Sequence, residues 1–172
     1  AGSARTIGAT IGGVPLASSL PSIAVTAGAP SLTRSRVTAA NATLASGDST
    51  TLTLFVRDAQ GNALGGGLTV AFTKGAGSSD GAIGAVTDVG DGSYRATFRA
   101  TTAGTARTIG ATIGGVAITP DTAATVTVTV GVISPDSSLL TVGLATLSAG
   151  DTTSVVLTAR DAAGNLIGAG GA

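Results

Sequence analysis

The strongest constraint on this chain is that it repeats itself. The string ARTIGATIGGV occupies residues 4–14 and recurs at 106–116, an offset of 102. Residues 46–65, SGDSTTLTLFVRDAQGNALG, recur as AGDTTSVVLTARDAAGNLIG at 149–168, an offset of 103. The one-residue drift falls between Val14 and Ile23. A unit of about 102 residues is large enough to be a domain with its own core, and far longer than the ~20–45-residue units of solenoids. The chain divides accordingly into 1–29, the closing strands of one repeat; 30–131, a complete repeat; and 132–172, the opening strands of a third. It begins at Ala1 without a Met or a signal-like apolar segment, and is read as a processed product or a window on a longer repetitive polypeptide.

Within the complete repeat, apolar residues alternate with polar ones at period two, the mark of half-buried strands. Tyr94, Ala96, Phe98 and Ala100 share one face of 94–100, with Arg95, Thr97 and Arg99 on the other. The same holds for Leu52, Leu54 and Val56 in 51–57, for Leu68, Val70 and Phe72, for Ile109, Ala111 and Ile113, and for Val126, Val128 and Val130 in 125–130. Further strands are placed near 35–40 and 82–88. Turn residues separate them: Ala59-Gln60-Gly61-Asn62, Gly65-Gly66-Gly67, Gly90-Asp91-Gly92 and Gly114-Gly115. At Gly61-Asn62 both residues are expected to supply positive φ. No stretch keeps a 3.6-residue period. The expectation is all-β: tandem seven-stranded, antiparallel, immunoglobulin-like β-sandwiches, one complete and two partial. An odd strand count puts the ends of each bead on opposite sides. Val130 to Pro135 leaves hardly any linker, and Pro30 and Pro135 stiffen the connections, so the beads extend as a rod.

Composition removes most chemistry. The chain has no His and no Cys, which excludes a Ser-His-Asp triad, a cysteine nucleophile, disulfides and a His/Cys zinc site. Nine basic residues balance nine acids, leaving no basic face for nucleic acid. No apolar run approaches the ~20 residues of a membrane-spanning helix. An enzyme is not expected, and neither is a cofactor.

The residues that remain as candidates each have an ordinary structural role. Asp80, Asp88 and Asp91 could supply oxygens to calcium, but an Asp-Gly turn into the Tyr94 strand accounts for Asp88 and Asp91. Asp58 and Asp161 recur by repetition, lie in different repeats and form no single acid pair. Lys74 could be cross-linked to Asn41 or Asn62, but beside Gly75 it reads as a solvated strand end. Thr125, Thr127 and Thr129 are an outer strand face. Phe55, in the outward phase of its strand, could cover a neighbouring domain or chain. Asn41-Ala42-Thr43 fits a glycosylation sequon.

The run from SGD or AGD into an alternating strand, then Arg57-Asp58-Ala59-Gln60-Gly61-Asn62 with its copy Arg160-Asp161-Ala162-Ala163-Gly164-Asn165, resembles the bacterial immunoglobulin-like repeats of the invasin/intimin type. So do GAVTDVGDGSYRATFRATTAGTARTIGATIGG at 84–115 and the closing TVTVTV at 125–130. The resemblance implies an extracellular β-sandwich, repeated in tandem on a bacterial surface, usually as the stalk of an adhesin whose receptor contact lies in a separate tip. The function expected is therefore structural: a rod of repeats forming a surface filament or fibre, or alternatively an adhesin stalk, or a spacer in a phage tail or secreted enzyme. Its expected partners are neighbouring repeats of the same or identical chains, with no nucleic acid and no membrane insertion.

Overall fold

The computed structural model describes residues 1–168. The segment ahead of the main sandwich carries two small antiparallel pairs. β1 (Arg5–Thr6) pairs with β4 (Ser22–Ile23), and β2 (Thr10–Ile11) with β3 (Val14–Pro15). The β2–β3 hairpin turns at Gly12 and Gly13, with φ of 57° and 82°, and Gly114 and Gly115 repeat this at 57° and 83°. Both central residues of such a turn need positive φ, which glycine adopts without steric cost.

Ten strands follow between residues 36 and 129: β5 (Arg36–Ala39), β6 (Thr43–Ala45), β7 (Ser49–Phe55), β8 (Val70–Lys74), β9 (Asp80–Ile83), β10 (Thr87–Asp88), β11 (Ser93–Thr102), β12 (Arg107–Ile113), β13 (Val116–Ala117) and β14 (Ala124–Thr129). They form two five-stranded sheets. One runs β10-β11-β7-β5 with β9 also on β11; the other runs β13-β12-β14-β6 with β8 also on β12. The excess over the seven strands expected from alternation comes from pairings two or three residues long, too short to leave a periodic signature. The expected all-antiparallel arrangement is also corrected: β14 pairs with β6 in parallel, Val128 opposite Leu44.

The alternating faces become the two walls of one core. Leu52 and Leu54 of β7 and Tyr94 and Phe98 of β11 face Ile109 of β12, Val126 and Val128 of β14 and Leu44 of β6. Removing each such large apolar side chain from water contributes about 1.5–3 kcal/mol. Tyr94 keeps its hydroxyl satisfied by accepting the Leu68 N–H at 3.0 Å. β11 also pairs residue for residue with β7, from Ser93↔Phe55 to Arg99↔Ser49. Val130, assigned to the inner phase of its strand, lies beyond β14 and is exposed.

After β14 the chain makes a 3-10 turn, Pro135–Ser137, and an antiparallel pair, β15 (Leu139–Val142) with β16 (Val155–Thr158). Residues equivalent by repetition have different fates here. Ile113 is 7% exposed but Ile11 is 74%; Leu54 is fully buried but Leu157 is 67% exposed. The flanking segments carry the apolar pattern of the sandwich without the facing strands that would cover it.

Candidate functional site

The most elaborate polar structure among the described residues is built by Arg57–Asn62 and again by Arg160–Asn165, where each motif meets the segment that arrives from upstream. β7 ends at Phe55, and Asp58 begins a tight turn in which the Gly61 N–H donates to the Asp58 carbonyl at 3.0 Å. Gly61 takes φ of 85°, while no residue other than glycine has positive φ among the described residues. The expectation that Asn62 shares this conformation is therefore corrected. Asn62 is used for its carboxamide.

That turn wraps its amides around the Asp58 carboxylate. Oδ1 accepts the N–H groups of Gln60 at 3.0 Å and Asn62 at 2.8 Å, and Oδ2 accepts Asn62 Nδ2 at 2.8 Å. The fourth donor comes from outside the turn: the Gly28 N–H, 30 residues upstream, donates to Oδ2 at 3.0 Å. Asp161 repeats the set. Its Oδ1 accepts Ala163 N at 3.0 Å and Asn165 N at 2.9 Å; its Oδ2 accepts Asn165 Nδ2 at 2.8 Å and Gly131 N at 2.9 Å, again 30 residues upstream.

The surrounding bonds repeat as well. Ser31 N donates to Arg57 O at 2.7 Å, and Ser134 N to Arg160 O at 2.7 Å. Arg57 N donates to Ser35 Oγ, and Arg160 N to Ser138 Oγ, both at 3.1 Å. Each arginine closes its own turn through the carbonyl of Gly61 or Gly164. The carboxamides reach further back: Asn62 Oδ1 accepts the Ala1 amino group, and Asn165 Oδ1 accepts Ala103 N. Asn165 Nδ2 also donates to Thr101 O at 2.8 Å and Ser46 Oγ at 3.1 Å.

Both carboxylates are 1% exposed. A buried charge is costly unless hydrogen bonds replace its water, and four N–H donors do so here. The Gly28 N–H and the Asn62 carboxamide hold Asp58 at about 2, overruling the burial that acts to raise it. At Asp161 burial pushes upward most strongly, but Gly131, Asn165 and Ala163 together hold that carboxyl at about 2 as well. These are anionic fasteners, fully charged at any physiological pH.

The sequence places Asp58 and Asp161 in turns, and they are there. What it misses is that each carboxylate reaches across to the incoming segment, at Gly28 and at Gly131. The available signal is the Gly28/Asp58 and Gly131/Asp161 pair, with the same separation in both copies.

The other candidate residues are committed to their neighbours. Asp88 accepts the Gly67 N–H at 2.6 Å and the Gly90 N–H at 2.8 Å. Asp91 accepts from Ser93 Oγ and N, which hold its carboxyl below the usual range. No three His, Cys, Asp or Glu side chains group to hold a metal among the described residues. Lys74 donates to Asp80 Oδ1 at 2.7 Å and Gly81 O at 3.0 Å, and that contact lowers the Asp80 carboxyl. Neither Asn41 nor Asn62 is its partner. Thr127 and Thr129 lie on the ladder to β6, where Thr129 Oγ1 donates to Leu44 O. Phe55 is half-buried beneath Arg36, whose guanidinium carbon lies 5.9 Å from the ring centroid. A concavity of about 720 Å³ is lined by Ala4, Arg5, Ile7, Ile23 and Val25, the uncovered apolar side of the first segment. No helix among the described residues is long and apolar enough to cross a membrane.

Known proteins place this architecture. The family model for invasin, domain 3, matches residues 31–131. The solved structure of FdeC, an Escherichia coli adhesin, is 30% identical, with a TM-score of 0.61 over 94% of this chain and 52% of its own. InvD of Yersinia pseudotuberculosis is 26% identical, with a TM-score of 0.65 over 96% of this chain and 52% of its own. The Yersinia pseudotuberculosis adhesin InvE is 27% identical, with a TM-score of 0.58 over 77% of this chain and 36% of its own. The chain thus spans about half the length of the solved FdeC and InvD chains, and no curated protein sequence matches it. With an all-β sandwich and a family match over residues 31–131, more than half of its length, the chain belongs to the invasin domain 3 family of bacterial immunoglobulin-like domains.

Proposed function

We propose that this chain is a stalk segment of a bacterial surface adhesin, a non-catalytic extracellular spacer that holds a binding region away from the cell. The observation that carries this is the repeated junction. The same buried aspartate fastens the incoming segment at Gly28 and at Gly131, with matching bonds at the serine, arginine and asparagine around it. A charged group with all its lone pairs engaged has one favourable geometry, so each bead is held in a set orientation to the one before.

The resemblance to FdeC and InvE, both described as adhesins, supports the adhesin context. The apolar faces around Ile11 and Leu157 fit beads whose remaining strands are supplied by neighbouring repeats of a longer polypeptide. Assembly of separate chains into a filament, the first expectation from the sequence, has no comparable support in the relatives. The spacer reading is tested by inserting one to four copies of the chain between an outer-membrane anchor and a terminal epitope. The epitope's height above the cell surface, measured by electron microscopy, is expected to rise by the same increment with each copy. A height independent of copy number overturns the reading.

A further inference from the structure

β6 and β14 are the first and last strands of the second sheet to meet, and they are parallel: Thr43 lies opposite Thr127, Leu44 opposite Val128 and Ala45 opposite Thr129. The ladder is continued at both ends by Thr127 N donating to Ala42 O at 2.8 Å and Ser46 N donating to Thr129 O at 2.9 Å. Antiparallel terminal strands would bring the chain in and out at the same end. Parallel ones make it enter at one end and leave at the other.

The junctions sit at those two ends. Gly28 is held by Asp58, beyond the C-terminal end of β7. At the other end Asn165 grips Ser46 and Thr101, just ahead of the start of β7 and at the end of β11. Gly131 packs so closely there that a Cβ would lie 2.8 Å from Ser46 O. Traction between the junctions reaches β6 through β5, itself paired with β7, and draws it backward from its N-terminal side while drawing β14 forward from its C-terminal side. The strands are pulled in opposite directions along their own axes.

In a parallel pair the ladder hydrogen bonds are evenly spaced and slant across the strands. Traction along the strands loads them together, whereas peeling from one end breaks them one after another. We propose that the β6–β14 ladder is the load-bearing clamp of this domain, giving the chain resistance to tension in addition to reach. The clamp strand is fixed to the body behind it. Val126 and Val128 are buried, and the Val128 N–H donates at 2.8 Å to Ser79 Oγ, which donates in turn to Gly104 O at 2.9 Å. The spacer reading supplies only the direction of the load; the asymmetry of the ladder belongs to the domain itself.

The chain contains no cysteine, so force can be applied at chosen points on the full chain through introduced thiols at exposed positions. Arg34→Cys with Val130→Cys pulls along the strands. Asp48→Cys with Val130→Cys pulls at the shared end of the ladder and peels it. In single-molecule force spectroscopy, at matched thermal midpoints, the first pair is expected to rupture at a several-fold higher force and in one event. Thr127→Pro, which removes the N–H donated to Ala42 O, is expected to lower the first force and leave the second nearly unchanged. Equal forces in the two geometries overturn the clamp without touching the copy-number test of the spacer. A failure of that test leaves the force ratio intact.

Discussion

The Asp58 carboxylate accepts the Gly28 N–H at 3.0 Å, and this bond ties the turn after β7 to the segment that leads into the sandwich. Because Asp161 and Gly131 repeat it at 2.9 Å, the contact is a rule of the repeat and not an accident of one loop.

Removing that carboxylate is expected to loosen the junction more than it disturbs the sandwich. Asp161→Ala leaves the amides of Gly131, Ala163 and Asn165 and one carboxamide N–H without their acceptor. Spin labels on β7 and β15 should give a narrow distance distribution in the parent chain and a broad one in Asp161→Ala. Asp88→Ala, which empties an exposed turn, should leave the distribution narrow. If both variants broaden it alike, the junction is not held by Asp161.

The same carboxylates define an acid limit. Their folded-state values near 2 lie below the ordinary 3.8, so their contribution is complete above the ordinary value and disappears as pH falls through the folded one. The thermal midpoint should therefore be flat from pH 8 to about 5 and fall between roughly pH 4 and 2. With no His in the chain, no step is expected near neutrality. The Asp58→Asn, Asp161→Asn double variant should start lower and show a shallower acid decline.

Two phenylalanines on the same sheet separate core from cover. Phe98 is fully buried, so Phe98→Ala should cost about 3–5 kcal/mol in urea unfolding. Phe55 lies half-buried under Arg36, and Phe55→Ala should cost only about 1 kcal/mol. Similar losses at the two positions would show Phe55 covered by something other than Arg36.

Glycine at 90 and glycine at 92 have nearly the same φ, 87° and 84°, but different surroundings. A Cβ on Gly90 meets open space, whereas on Gly92 it would fall on the Leu64 carbonyl oxygen. Gly90→Ala should therefore cost only the backbone strain, about 1–2 kcal/mol. Gly92→Ala should cost clearly more, or prevent folding, as read by circular dichroism and urea midpoints.

The sequence by itself determined what local physics can encode. Alternation at period two set which side chains of β7, β11, β12 and β14 face inward, because a strand presents successive residues to opposite faces. Paired glycines set the hairpins, because only they turn at positive φ without strain. The repeated motifs were enough to point to the family.

Only the tertiary structure decided which strands meet and what closes each polar site. The parallel β6–β14 ladder joins residues 85 apart, as in Thr129 Oγ1 to Leu44 O, and no local pattern distinguishes a parallel partner from an antiparallel one. Asp58 reads as a turn residue because three of its four donors are local. The fourth, Gly28, arrives only when the chain has folded. A carboxylate that completes its coordination through a distant amide carries no separate mark in sequence, since a backbone N–H looks the same at every residue but proline.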